Sequence, residues 1–352
     1  MSGRIAIIIL LCALGAYAQS GRVKPTESPS PSPTPKRVGV YSPTDKIIPT
    51  PGVTPTPSPT PEDPDTIKIN SGLVPIPVSV FDVRGRAIND LTIRDFRLKI
   101  NGVEAEIGEL SRAESPVRLA LLFDNSSSVT IAREFEKKAA IRFFRRVIRP
   151  EKDLVALFSV STVSRIEQPL TKDMGSLIDA IETFPQPDGA TALLDGLIEA
   201  SKYLGEVSGR RVIVIVSDGD DTISDSTFEE TVKALQIANC QVFIVKTTDF
   251  ENAKRTGERK GSANLRQLAA ERRMQDIARQ TGGLVWSPLD ENEMDLAFDQ
   301  ISAELAQQYV IAYYPDPEPE KRGEFRSIEV TVNNQPGSSV RARKGYYVPR
   351  SR

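Results

Sequence analysis

Apolar and polar residues follow two different patterns along this chain. Between residues 116 and 308, short apolar runs alternate with longer segments whose apolar residues recur at helical spacing, which predicts alternating strands and helices. Strands are predicted at 118–123, 154–159, 211–216, 241–246 and 284–286, and helices at 132–148, 174–183, 192–204, 228–238, 263–280 and 291–307. This succession is typical of an α/β domain with a doubly wound, mostly parallel, Rossmann-like sheet.

The two flanks of that region, residues 66–112 and 309–349, show instead the two-residue alternation of half-buried strands. Asn101-Gly102 predicts a tight hairpin that joins a strand at 96–100 to a strand at 103–107. Each flank alone is too short for a stable core. We therefore expect the two flanks to form one small discontinuous β-sandwich, with the α/β domain inserted between its halves.

The first 18 residues predict an export signal. Arg4, the apolar stretch 5–14 and a small-residue Ala-Tyr-Ala sequence that ends at Ala18 are typical of a secretory signal peptide cleaved after residue 18. The apolar stretch is too short for a comfortable bilayer span, so no membrane span is expected after cleavage. We expect the exported protein to reside in the periplasm, at the cell surface or outside the cell.

Residues 19–65 are rich in Pro, Ser and Thr, with thirteen prolines between Pro25 and Pro64. Such a composition cannot pack a core and predicts a disordered, extended linker between the signal and the folded body. Sugar attachment and recognition by a proline-binding domain are the alternatives for this segment.

Composition excludes several functions. The 352-residue chain has 45 basic and 47 acidic residues, a net charge of -2, so nothing predicts a nucleic-acid partner. It has no histidine, which excludes a Ser-His-Asp triad, a Cys-His dyad and the usual histidine-containing zinc sites. Removal of the signal leaves Cys240 as the only cysteine, and we predict a buried small side chain rather than a reactive thiol.

Oxygen-bearing side chains stand where three predicted loops leave the same edge of the sheet. Asp124, Ser126 and Ser128 directly follow the first buried strand, Thr191 precedes a helix, and Asp218 follows the strand at 211–216. Oxygen-only ligands suit a hard cation such as Mg²⁺, Mn²⁺ or Ca²⁺. Taken alone, the first segment also fits a turn in which Ser and Asp only cap the next helix.

The order Asp-x-Ser-x-Ser, then Thr, then Asp-Gly after a hydrophobic strand resembles the metal-ion-dependent adhesion site of the von Willebrand factor type A (VWA) family. This resemblance implies hydroxyl ligands from Ser126, Ser128 and Thr191 and carboxylates from Asp124 and Asp218. It also implies an open coordination position that accepts an Asp or Glu side chain of a partner protein. The expected function is that of an exported, metal-dependent protein-binding or adhesion module without catalytic activity.

The flanks resemble a narrower group, the exported VWA-related proteins of Acidobacteria. The residues that carry this resemblance are the segments 74–80, 90–96 and 341–347. It covers roughly residues 66–348 and implies a bacterial source, but that group is defined by its domain rather than by an activity.

Two other functions stay open at this stage. One is a scaffold whose metal site is vestigial or serves only stability. The other is a metal-dependent phosphohydrolase, because a strand that ends in Asp and a second strand that ends in Asp-Gly-Asp-Asp also resemble the haloacid dehalogenase type. Those enzymes need an acid two residues after the nucleophile, and here Ser126 occupies that position.

Three local features have alternatives of their own. Asp220, Asp221 and Asp225 are expected to be solvated acids that cap the helix beginning near Thr227, with a second cation site as the alternative. The polar segment 251–261 is expected to be a solvated loop, with a partner-contact surface as the alternative. The last helix leads directly into the second flank, where we expect a rigid junction rather than one that moves with the metal site.

Overall fold

The computed structural model describes residues 73–112, 115–127, 130, 133–257, 265–315, 322–333 and 335–348. The predicted signal peptide and linker lie outside these residues. The strands are β1 (Val74–Phe81), β2 (Phe96–Ile100), β3 (Val103–Ala105), β4 (Glu109–Arg112), β5 (Val117–Asp124), β6 (Leu154–Val160), β7 (Ser164–Thr171), β8 (Arg210–Ser217), β9 (Cys240–Lys246), β10 (Val285–Trp286), β11 (Tyr309–Tyr313), β12 (Phe325–Val332), β13 (Ser339–Ala342) and β14 (Gly345–Tyr347). The α-helices are α1 (Arg133–Val147), α2 (Met174–Glu182), α3 (Leu193–Gly205), α4 (Phe228–Ile237), α5 (Thr248–Thr256), α6 (Leu265–Thr281) and α7 (Glu291–Gln307).

The central sheet has six strands in the order β10-β9-β8-β5-β6-β7. Strands β5, β6, β8, β9 and β10 run parallel, and only the edge strand β7 is antiparallel to its neighbour. Helices cover both faces of this sheet. Leu119 and Leu121 of β5 pack in the core that includes α1 and α7, whereas Ala120 and Leu122 pack in the core that includes α3 and α6. The α/β fold class is therefore as predicted, because every second residue of a strand faces the opposite layer of helices.

Two elements of this domain were not predicted. Strand β7 is half-buried, polar and interrupted by Pro169, so it lacks the apolar run that marks the central strands. Helix α5 covers part of the segment 251–261, for which the prediction of a solvated loop is wrong. Its fully buried Phe250 lies edge to face with Phe135 of α1, at a centroid distance of 5.6 Å, and this contact fixes a helix whose other residues are mostly polar.

The flanks form two antiparallel four-stranded sheets, β13-β1-β11-β4 and β14-β12-β2-β3. Each sheet combines strands from both flanks, since β1 pairs with β11 and β2 pairs with β12. Ile76, Leu98 and Tyr309 belong to the apolar core that the two sheets share. Asn101 and Gly102 have φ angles of 51° and 80°, the primed-turn geometry that their sequence predicts for the β2–β3 hairpin.

Buried polar contacts join the inserted domain to the sandwich at the end of α7. The Ser79 hydroxyl of β1 donates to Glu304 of α7 at 2.9 Å, and Gln308 donates to the same hydroxyl at 3.1 Å. Arg341 of β13 forms an ion pair with Glu304, and Arg210 of β8 donates to the carbonyl of Leu305 at 2.9 Å. This junction lies where β8 begins, so it is at the opposite edge of the central sheet from the predicted metal site.

Candidate metal centre

Two adjacent parallel strands bring the predicted carboxylates to one edge of the central sheet. Asp124 is the last residue of β5, and Asp218 follows the last residue of β8. These strands pair in register, with Phe123 opposite Val216, so their carboxyl ends lie side by side. Ligands of open α/β sheets bind at this edge, beyond the carboxyl ends of the strands.

The Asp124 side chain is held by hydrogen bonds inside the protein. It is only 2% exposed, and its Oδ1 accepts the Ser126 backbone N–H at 2.9 Å while its Oδ2 accepts the Ser217 hydroxyl at 2.6 Å. The Ser126 side chain also bonds this carboxyl group and is itself 2% exposed. The carboxylate therefore has a fixed orientation before any ligand binds.

Thr191 lies on a loop that touches both carboxylate-bearing loops. Its backbone N–H donates to the Thr222 hydroxyl at 2.9 Å, and its carbonyl accepts the Thr222 N–H at 2.8 Å. On the other side, the carbonyl of Gly189 accepts the Ser127 N–H at 3.3 Å. Thr191 is 2% exposed. These contacts place its loop between the segment after β5 and the segment after β8.

Burial and charge repulsion both disfavour the ionised form of Asp124. Burial, and after it the negative charge of Asp218, raises the pKa of Asp124 to about 7, although hydrogen bonds from Ser126 and Ser217 oppose the shift. Two carboxylates and neighbouring hydroxyls fit a hard divalent cation, because a cation removes the repulsion and oxygen donors are the ligands it prefers. Within the described residues, no three acidic or thiol side chains are grouped so that they could hold a metal ion by themselves.

The structure describes four of the five predicted site residues. Asp124 and Ser126 contact each other after β5, Thr191 lies on the loop before α3, and Asp218 follows β8. The fifth, Ser128, lies outside the described residues. Sequence analysis missed Ser217, whose hydroxyl accepts the Gly219 N–H at 2.9 Å while it donates to Asp124. It therefore positions the buried carboxylate from the neighbouring strand.

Sequence analysis also missed two acids next to this site, Glu136 of α1 and Glu251 of α5. Glu136 is 1% exposed, and burial together with the charge of Glu251 raises the pKa of Glu136 well above its ordinary value. Burial and the charge of Asp218 raise the pKa of Glu251 to about 8. A signal for Glu136 exists in the sequence, because it shares a helical face with the apolar residues Ala139, Ala140 and Phe143.

Of the three acids that follow Asp218, two contact residues of other helices. Asp220 forms an ion pair with Arg266 at 2.6 Å. Asp221 accepts the Leu193 N–H at 2.9 Å and so caps α3, and Asp225 is exposed. The prediction that these acids cap the helix near Thr227 is wrong, since Thr227 itself caps α4 in a reciprocal capping box.

Comparison with known proteins supports the topology. The sequence profile of the von Willebrand factor type A domain matches residues 119–281, and those residues form a VWA domain in this protein. A search of curated proteins found no match. Within the described residues, no helix combines the length and apolar character needed to cross a membrane. VWA domains typically bind proteins.

Several solved structures are similar to part of this chain at low sequence identity. They include BatB from Bacteroides thetaiotaomicron (17% identity, 54% of this chain and 97% of that chain, TM-score 0.42), the PilB minor pilin from Streptococcus sanguinis (14%, 55% and 62%, 0.43) and the pilus adhesin SpaC from Lactobacillus rhamnosus GG in its open conformation (10%, 72% and 48%, 0.44). The aligned part of this chain thus spans 62% of the pilin's length.

Proposed function

We propose that this protein is an exported adhesion or protein-binding module whose VWA domain captures an acidic side chain of a partner through a divalent cation. The observation that carries the proposal is the position of two carboxylates at the carboxyl edge of the sheet, where the buried Asp124 ends β5 and Asp218 follows β8, the strand that pairs with β5 in register. A VWA domain at residues 119–281 agrees with a protein-binding role.

Asp124 and Asp218 would balance the charge of Mg²⁺, Mn²⁺ or Ca²⁺, and the hydroxyls of Ser126, Ser128 and Thr191 would complete the protein's share of ligands. The cation supplies positive charge that attracts a carboxylate from outside. Because only two ligands are anionic, that charge is not cancelled by the protein. Ser217 holds Asp124, and Thr222 holds the loop of Thr191, so the donor groups need little rearrangement.

Selection of displayed peptides tests this function without a known partner. The chain from residue 19 onward is immobilised in Mg²⁺ buffer, a random peptide library is applied, and bound peptides are eluted with EDTA. We expect the selected peptides to share an Asp or Glu, and expect each peptide to lose binding when that acid becomes Asn or Gln. Asp218→Asn should abolish capture.

Asp225→Asn is the matched control, because it removes the same charge from an exposed position on the same loop. It should capture the selected peptides as the parent does. Peptides that bind equally well in EDTA, or equally well to Asp218→Asn, contradict the proposal. A chain that binds Mg²⁺ but selects no acidic peptide would favour a structural role for the cation.

A further inference from the structure

A cleft of about 360 Å³ lies where two edge strands meet, β10 of the central sheet and β13 of the sandwich. Strand β10 and the residue before it contribute Val285 and Leu284 to its lining, and β13 contributes Val340 and Ala342. In the described part of the chain each of these strands pairs with one neighbour only, β10 with β9 and β13 with β1. The cleft is therefore bordered by two strand edges that carry no further strand.

The edge of β10 presents the backbone of Val285. The Leu284 carbonyl accepts the Ile244 N–H at 2.9 Å, so Leu284 turns its backbone groups toward β9. Successive residues of a strand turn their N–H and C=O groups to opposite sides. The N–H and C=O of Val285 therefore point away from β9.

The edge of β13 presents the backbone of Val340 and Ala342. Phe81 of β1 pairs with β13 on one side and with the segment after β1 on the other. The Val80 carbonyl accepts the N–H of Ile88, in that segment, at 2.9 Å, so Val80 turns away from β13 and Phe81 turns toward it. Val340 lies opposite Val80 in the ladder, so its N–H and C=O point to the free edge, and by the same alternation those of Ala342 do too.

This edge of β13 ends beside helix α6. Just beyond the strand, the Lys344 N–H donates to the carbonyl of Gln280 at 3.0 Å. Among the described residues, the outward backbone groups of Val285, Val340 and Ala342 have no backbone partner. A row of unpaired N–H and C=O groups at a sheet edge is a template for an added strand.

The side chains around this edge carry positive charge. Arg279, Arg341 and Lys344 line the cleft, and none of the described lining residues is acidic. Arg279 pairs with the partly exposed Asp276 at 2.5 Å, and Arg341 pairs with Glu304 while its Nε has no hydrogen-bond partner. Lys344 is exposed and forms no ion pair within the described residues. The cleft therefore favours an acidic ligand over a basic one.

We propose that this cleft binds an extended acidic segment of a partner protein, which adds as a strand to the free edge of β13. The segment's backbone pairs with the outward groups of Val340 and Ala342. Alternate side chains of an extended segment lie on one side, so acids two residues apart reach the cationic lining together. This site needs no metal ion and does not rest on the proposed function.

Selection of displayed peptides in EDTA tests the proposal without the metal site. The chain from residue 19 onward is immobilised, short random peptides are applied in EDTA, and bound peptides are eluted with high salt. We expect the selected peptides to carry acids at alternate positions. Lys344→Glu should weaken their binding about ten-fold or more, because it places like charges together. Peptides N-methylated at alternate amides should lose binding, because they lack the N–H groups that pair with β13.

Arg272→Glu is the matched control, because it makes the same charge change at an exposed position of α6 outside the cleft. It should bind the selected peptides as the parent does, and so should Asp218→Asn. Circular dichroism establishes that each variant is folded. If Lys344→Glu does not fold, Arg279→Glu on the other side of the peptide bond between α6 and β13 is replaced by the N-methylated peptides, which test the unaltered chain.

The outcomes separate this cleft from the metal site. A selection in EDTA that yields no acidic peptide overturns the proposal, and so do peptides that bind Lys344→Glu as well as the parent. N-methylated peptides that bind unchanged overturn the strand pairing. The proposed function is tested on peptides that EDTA elutes, whereas peptides bound in the cleft stay on the chain in EDTA, so either proposal can fail without the other.

Discussion

Substitution of Asp124 by Asn should change how the stability of the metal-free protein depends on pH. The pKa of Asp124 rises from 3.8 to about 7 on folding, because the ionised group is buried beside Asp218. Since the unfolded chain loses this proton first, the group's contribution to stability is complete below pH 3.8 and is lost as the pH rises toward 7. At about 1.4 kcal/mol per pH unit, the total loss is about 4 kcal/mol.

The assay is urea unfolding in EDTA at a series of pH values, for the parent and for Asp124→Asn. Other groups titrate in both chains, so the informative quantity is the difference between their free energies of unfolding. That difference should shift against the parent by about 2 to 3 kcal/mol between pH 5 and pH 8 and then become constant. Saturating Mg²⁺ should reduce the shift, because a cation stabilises the ionised carboxylate.

Asp225→Asn again provides the control, because it removes a carboxyl group from an exposed position and is compared with the parent over the same pH range. Curves for the parent and Asp124→Asn that stay parallel from pH 5 to pH 8 would refute the reasoning. Such a result would mean that the Asp124 carboxyl group titrates alike in the folded and unfolded chains.

Three further predictions concern the framework around the site. Phe250→Ala should lower the free energy of unfolding by about 3 to 5 kcal/mol, because Phe250 is fully buried, and a loss below about 1 kcal/mol in denaturant unfolding would contradict this packing. Gly283→Ala should lower the free energy of unfolding by at least about 2 kcal/mol, since a Cβ there would lie 1.8 Å from the Val242 carbonyl oxygen. Gly205→Ala in α3 is the control, because the nearest atom to its Cβ would lie 3.8 Å away, and it should leave the free energy of unfolding unchanged or raise it in the same assay. Cys240 should not react with a thiol reagent in the native protein, because burial raises the pKa of its thiol to about 12, and labelling without unfolding would contradict its burial.

Elements with strong local signals were predicted closely. The predicted helix at 291–307 has the observed bounds of α7, because Asp290 caps its first turn and its apolar residues recur at helical spacing. The predicted bounds of β5 and β8 lie within one residue of the observed bounds at each end, since both strands are apolar runs buried on two faces. The carboxyl ends of such strands meet at one edge, so the positions of Asp124 and Asp218 followed from the pattern.

The features that the sequence analysis missed or predicted wrongly depend on contacts between residues that are distant in the chain. Helix α5 is held by one buried aromatic residue, Phe250, among mostly polar neighbours, and no sequence window shows that Phe135 will pack against it. Asp221 caps α3 rather than the helix that follows it, because the chain turns back toward Leu193 before α4 begins.

The most direct test of the metal site is thermal unfolding of the chain from residue 19 onward in Mg²⁺ and in EDTA, beside Asp218→Asn and its control Asp225→Asn. A ligand bound only to the folded state stabilises it by about 2.7 kcal/mol at one hundred times its Kd. We expect Mg²⁺ to raise the Tm of the parent and of Asp225→Asn, and to give Asp218→Asn a smaller rise or none. Equal responses in all three chains, or no response in the parent, would contradict a cation site at Asp124 and Asp218.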